Sequence, residues 1–149
     1  MDRDVIIHVK GLQNAGDGSA QEPIEIVVPG QYFLKNGIHY FRYEERFEDF
    51  SQPAANYIKI WPEGSMEVRK TGLINTNMIF EKGKKNLTSY TTPYGTMQMG
   101  ITTTGVELEI REDLVEMKAD YALDVNDEYV ADCFIQIRAE SLNSPELAL

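Results

Sequence analysis

One cysteine, two histidines and one tryptophan are all that the 149 residues contain of these types. With Cys133 alone, no intrachain disulfide can form, and a disulfide-stapled scaffold is excluded. His8, His39 and one thiol show no zinc-site spacing, so no metal site is expected. No window approaches the roughly 18 apolar residues that a membrane-spanning helix needs. Met1-Asp2-Arg3-Asp4 is not followed by an apolar stretch of signal-peptide length, so the expected location is cytoplasmic. Positive charge is also scarce: Lys plus Arg number 14 against 24 Asp plus Glu, a formal charge of −10. Such a surface repels phosphate backbones and anionic lipid, so neither nucleic acid nor membrane is expected as a partner. The densest basic run, Lys82-Gly83-Lys84-Lys85, reads as a solvated hairpin tip. Phosphate-binding loops ending in Lys-Ser or Lys-Thr, paired-His zinc helices and nucleophile elbows are missing, so no catalytic residue or cofactor is assigned.

What the chain does have is period-two alternation from end to end. Val115, Met117, Ala119, Tyr121, Leu123 and Val125 alternate with Glu116, Lys118, Asp120, Ala122 and Asp124. Side chains alternate across a strand, so the first set is expected to face a core. Ala131, Cys133, Ile135 and Ile137 repeat the pattern, with Asn126-Asp127 as the reversal between the two runs. Ile24, Ile26 and Val28 lead to Pro29-Gly30, a pair that should bend the strand before it resumes at Gln31–Leu34. Asn36-Gly37 is the strongest hairpin signal, because both residues accept positive φ in a type I′ turn. The return strand is expected from Ile38 to Phe47, with Glu44–Phe50 offering at most one helical turn. Further strands are expected at Val5–Leu12, Tyr57–Trp61, Ser65–Lys70, Leu73–Phe80, Leu87–Thr91, Thr96–Thr104 and Val106–Arg111.

About ten short strands joined by tight turns, with no amphipathic helix, predict an all-β domain. Sequential hairpins without long crossovers favour an antiparallel up-and-down β-barrel of about 8–10 strands. The barrel domain is expected over residues 1–140, with 141–149 as a flexible C-terminal tail.

Polar residues fall on faces that should be apolar. His39, Phe41, Tyr43, Glu45 and Phe47 share one side by parity, which places Glu45 among aromatics. A carboxylate facing a barrel interior is costly unless paired, and Lys70 is its candidate partner. Tyr43, Glu45, Lys70, Tyr90 and Tyr121 are expected to cluster inside the barrel or at one mouth, with Tyr94 on the adjoining turn. Such a cluster either orients a small ligand or closes the barrel as a structural network. His39 reads as a packed residue, and Cys133, of inward parity, as a buried structural thiol. Asp124, Asn126 and Glu128 lack the glycine and distal glutamate of a calcium loop and read as a polar hairpin tip.

Several segments together resemble the YwiB-like family of small bacterial proteins. They are Gly30-Gln31-Tyr32-Phe33-Leu34, Tyr40-Phe41-Arg42-Tyr43-Glu44-Glu45, Lys70-Thr71-Gly72, Phe80-Glu81-Lys82-Gly83-Lys84-Lys85, Tyr90-Thr91-Thr92-Pro93-Tyr94-Gly95 and Tyr121-Ala122-Leu123-Asp124-Val125. The resemblance extends to about Glu140. It implies a calycin-like, lipocalin-like barrel and carries no activity. Lys70 stands where the family commonly has arginine, so the bidentate contact with a carboxylate is lost. The Gly-x-Trp opening of lipocalins and the Arg-x-Tyr anchor of fatty-acid carriers are missing. The leading reading is a non-enzymatic barrel that binds a small, partly apolar molecule, as monomer or homodimer. The alternative is a protein–protein interaction module with a side-chain-filled barrel. A third is a hydrolase or isomerase using Glu45 and a tyrosine as acid and base.

Overall fold

A computed structural model describes residues 3–15 and 23–142. Ten antiparallel strands, and no helix, make up these residues. They begin with β1 (Asp4–Ala15), β2 (Ile24–Lys35), β3 (Ile38–Glu45), β4 (Ala54–Ile60) and β5 (Met66–Gly72). They continue with β6 (Thr76–Phe80), β7 (Lys85–Thr92), β8 (Gly95–Arg111), β9 (Leu114–Val125) and β10 (Glu128–Ser141). The sheet runs in the order β6-β5-β4-β3-β2-β1-β10-β9-β8-β7. Every strand pairs with its neighbours in sequence except across β6 and β7, and β1 pairs with β10, so the meander rolls into a barrel whose remaining gap lies between β6 and β7. That is the expected up-and-down architecture.

Turn chemistry explains the hairpins. Asn36 (φ 54°) and Gly37 (φ 77°) both occupy the left-handed region that a type I′ turn requires. Asn126 (φ 50°) and Asp127 (φ 66°) do the same between β9 and β10. Alternation then sorts the side chains. Across β3–β6 the register stacks three inward rows: His39–Ile60–Met66–Phe80, Phe41–Ile58–Val68–Met78 and Tyr43–Asn56–Lys70–Thr76. The first two rows pack against Val5, Ile7, Ile101, Val115, Met117, Ile137 and Ala139 of the opposite wall in one continuous core. Each large apolar side chain so buried contributes about 1.5–3 kcal/mol.

The structure corrects several expected boundaries. Thr96–Thr104 and Val106–Arg111 are one strand, because Gly105 takes up a bulge, with the register shifting between Thr103 and Gly105 against β9. β3 stops at Glu45, and Glu44–Phe50 forms no helical turn: a single bond from the Phe50 N–H to the Phe47 carbonyl reverses the chain. β6 starts at Thr76 rather than Leu73, with Asn75 forming an isolated bridge to Thr91. β10 includes Ser141, which is buried, one residue past the expected domain limit. The expected tail from 143 onward lies outside the described residues.

Pro29-Gly30 forms a corner. The β2–β3 ladder ends at Gln31↔Arg42, whereas the β2–β1 ladder continues from Gly30 to Ile24. A Cβ on Gly30 would collide with Ile7 Cδ1 and lie 2.8 Å from the Arg42 carbonyl oxygen. Backbone cannot yield as a side-chain tip can. Gly30→Ala is therefore expected to destabilise the barrel by about 1–3 kcal/mol, read as a lowered midpoint in urea. An unchanged midpoint would show that the corner relaxes freely.

His39 sits in the lowest inward row with the Tyr32 hydroxyl 2.9 Å from its Nδ1. Burial lowers its pKa, so the folded protein favours neutral imidazole. The unfolded chain takes up that proton near about pH 6.5. This contribution to stability is therefore complete above that pH and is lost as pH falls toward the lower folded-state pKa. His39→Gln should flatten the decline in urea midpoint between pH 7 and pH 5; a slope identical to the parent's would assign the titration to another group.

Candidate functional site

Polar side chains gather at the end of the barrel where β3, β5, β7 and β9 finish. Strict alternation in β4 buries Ala54, Asn56, Ile58 and Ile60, so the sequence forces an amide into an otherwise apolar face. Asn56 pairs in register with Tyr43 on β3 and Lys70 on β5, and Lys70 with Thr76 on β6. Glu45 lies one inward step nearer the mouth on β3 and reaches back into this row. Its Oε1 accepts from Lys70 Nζ at 2.7 Å and from Asn56 Nδ2 at 2.8 Å. Both charged side chains are largely enclosed, Lys70 at 16% and Glu45 at 21% exposure.

One buried acceptor in this row remains unmet. Asn56 Oδ1 is buried without a partner, and its orientation is fixed because Nδ2 faces Glu45. Glu45 Oε2 accepts no hydrogen bond among the described residues but is open to solvent rather than buried. Thr103 Oγ1 and His8 Nε2 are also buried and unpartnered, but they stand on β8 and β1, apart from this row. Unpartnered buried polar atoms are costly, and the one at this mouth calls for an account.

The aromatic walls are Tyr43 and Tyr90. Burial first, and the Glu45 carboxylate second, hold both hydroxyls above the usual phenol range. They stay protonated at neutral pH and so have a proton to donate. Acid–base catalysis finds little to work with: Glu45 Oε1 is engaged by two donors, and the phenols are poor acids. Among the described residues no group of three or more His, Cys, Asp or Glu is arranged to hold a metal ion.

Beside the row runs the β6–β7 seam. Asn75 and Thr91 exchange two backbone bonds of 2.9 Å at its upper end. Below that, Thr88 Oγ1 accepts from the Asn77 N–H at 3.2 Å and lies 3.4 Å from the Thr76 hydroxyl. Asn86 Nδ2 donates to the Ile79 carbonyl at 3.3 Å. Side chains here do what main-chain bonds do elsewhere in the sheet.

Of the six residues singled out in the sequence, the structure brings Tyr43, Glu45, Lys70 and Tyr90 together. Tyr121 is not among them. It points inward deeper in the barrel, edge-on to Phe80 with centroids 5.1 Å apart, and its hydroxyl is hydrogen-bonded to the Cys133 sulfur. Tyr94 is 87% exposed at the β7–β8 turn, edge-on to Phe50. The shared inward parity of Tyr121 could not give its height along the barrel, and a turn residue has no parity at all. Asn56, Thr76 and Thr88 went unnoticed. For Asn56 the signal was present, since extending the Tyr57–Trp61 strand back to Ala54 places it on the apolar face. His39 and Cys133 are buried, and burial raises the thiol pKa. Asp124 pairs with Lys85 Nζ at 2.6 Å on the outer surface.

Comparison with known proteins adds fold and family. The family described as "Domain of unknown function (DUF1934)" matches residues 7–137. The "Uncharacterized beta-barrel protein YwiB" of Bacillus subtilis (strain 168) is 24% identical over 124 residues, covering 83% of this chain and 84% of that protein. The crystal structure of the ywiB protein from Bacillus subtilis superposes with a TM-score of 0.71 at 21% identity, covering 93% of each chain. These likenesses agree with the ten-stranded barrel and carry no activity.

The Glu45–Lys70 pair generates a stability test. Lys70→Met leaves an enclosed carboxylate with one donor fewer and is expected to cost about 1–3 kcal/mol. Adding Glu45→Gln should recover part of that loss, so the double variant costs less than the sum of the single ones in a urea double-mutant cycle. Strict additivity would mean that the pair contributes nothing through mutual contact.

Proposed function

The chain belongs to the DUF1934 family, whose function is unknown, and from that starting point we propose that it is a non-enzymatic barrel binding one small, partly apolar molecule at the polar mouth. The observation that carries this reading is the Asn56 side chain: fully buried, anchored to Glu45 through Nδ2, and with Oδ1 facing no partner. Directly beneath it lies the apolar row Phe41–Ile58–Val68–Met78. A few fixed polar groups above an apolar floor are the usual composition of a small-molecule site. The calycin-like architecture that the YwiB-like resemblance implies would support the same reading by analogy of fold. A cytoplasmic setting agrees with a lone cysteine kept as a free thiol.

A second reading, a protein–protein interaction module, draws on the outer face. Phe33 is exposed there and stacks on Tyr40 with centroids 4.7 Å apart. Arg42 and Arg69 both lie over Tyr57, which ties that face into rows of cation–aromatic contacts. Such rows also simply stabilise a sheet, so this reading ranks second.

Native mass spectrometry on gently purified protein separates the two. The binding reading expects a stoichiometric extra mass that disappears on denaturation and is reduced in Asn56→Ala. A mass equal to that of the bare chain in both states, with a dimer or partner peak instead, would favour the outer face.

A further inference from the structure

We infer that the mouth takes an uncharged molecule presenting a hydroxyl group, and that it rejects carboxylates. This rests on the binding reading and deepens it. The one buried polar atom of the row without a partner, Asn56 Oδ1, is an acceptor, and Glu45 offers a second carboxylate oxygen beside it. A ligand there must therefore bring an O–H or N–H. A carboxylate brings only acceptors and a negative charge, and would face a second carboxylate across the mouth. The cation that might have anchored it, Lys70, is already committed to Glu45 at 2.7 Å. The chain as a whole carries a net charge of −10, which adds to the repulsion of an anion.

An ammonium head would satisfy the acceptors but would enter beside the Lys70 ammonium, where like charges repel. A hydroxyl avoids both penalties. It donates to Asn56 Oδ1 or Glu45 Oε2, and its own lone pairs can accept from the protonated Tyr43 or Tyr90 hydroxyl. The apolar body then lies against Tyr90 and Met78, which are only partly buried beside the core. The arrangement is the reverse of a fatty-acid anchor, in which an unpaired cation waits for an anion.

Three probes that share one chain and differ only in the head group test this: octan-1-ol, octanoate and octylammonium, titrated into the full chain by calorimetry. Octan-1-ol is expected to bind at least about tenfold more tightly than octanoate, the size expected of one unmet buried hydrogen-bonding group. Asn56→Leu should reduce octan-1-ol affinity by about the same factor, since it removes the orphan acceptor. Glu45→Gln keeps an oxygen for Lys70 and Asn56 while removing the charge, so it should narrow the preference over octanoate even if Asn56→Leu folds poorly. Tighter binding of octanoate or octylammonium, or a preference unmoved by Glu45→Gln, overturns the hydroxyl assignment while leaving a binding barrel in place. Failure of all three probes overturns it too. If the native protein also carries no releasable mass, the binding reading falls with it, and an ordered water is then the occupant of Asn56 Oδ1.

Discussion

The β1–β10 ladder is the contact on which the barrel depends. It pairs eleven residues in register, from Val5↔Ser141 to Ala15↔Ala131, and joins strands from opposite ends of the described chain. Without it the strands would fall into two sheets, β6-β5-β4-β3-β2-β1 and β10-β9-β8-β7, that meet only along the β6–β7 seam. The inward rows of β3–β6 would then have no opposite wall formed by β1, β8, β9 and β10. Closure converts alternation into a core, because period-two patterning buries residues only when the sheet meets itself. The Gly30 corner serves the same end by letting β2 hand over from β3 to β1 as the sheet rolls.

Closure also explains why the polar row stands where it does. Deep in the barrel the register offers only apolar partners, and an ionised side chain there would be uncompensated. One row from the mouth, Glu45 meets both Lys70 and Asn56, so two of the three groups are satisfied without leaving the interior. The third, the Asn56 carbonyl, is left over. A purely structural network would gain from pairing it, and that asymmetry is what separates this mouth from a simple barrel plug.

Much of the fold was legible because turns and alternation agree. Asn36-Gly37 and Asn126-Asp127 mark reversals through positive φ, and β9 alternates cleanly enough to assign its faces. Bulges were not legible. Gly105 reads as a turn in sequence, yet the neighbouring ladder holds the chain extended and absorbs it as a register shift. The site was readable only in part, for a related reason. Parity tells inside from outside, so Glu45 and Lys70 could be matched by charge. Height within the barrel comes from register across several strands, and this is what separates Tyr121 from Tyr43. Asn56 was lost to an error of three residues at a strand boundary.

The β6–β7 seam carries a consequence for how such a barrel can change over generations. Elsewhere the wall is joined by main-chain amides, which substitutions leave in place whatever the side chain becomes. Between Asn77 and Thr88, and between Ile79 and Asn86, one side of each bond is a side chain. Closure along this line is therefore written in the genetic code rather than in the backbone. Replacing Thr88 or Asn86 would loosen or tighten one slit in the wall without disturbing any ladder. Descendants of this chain could tune access to the interior there by single codon changes, while the rest of the barrel stays fixed.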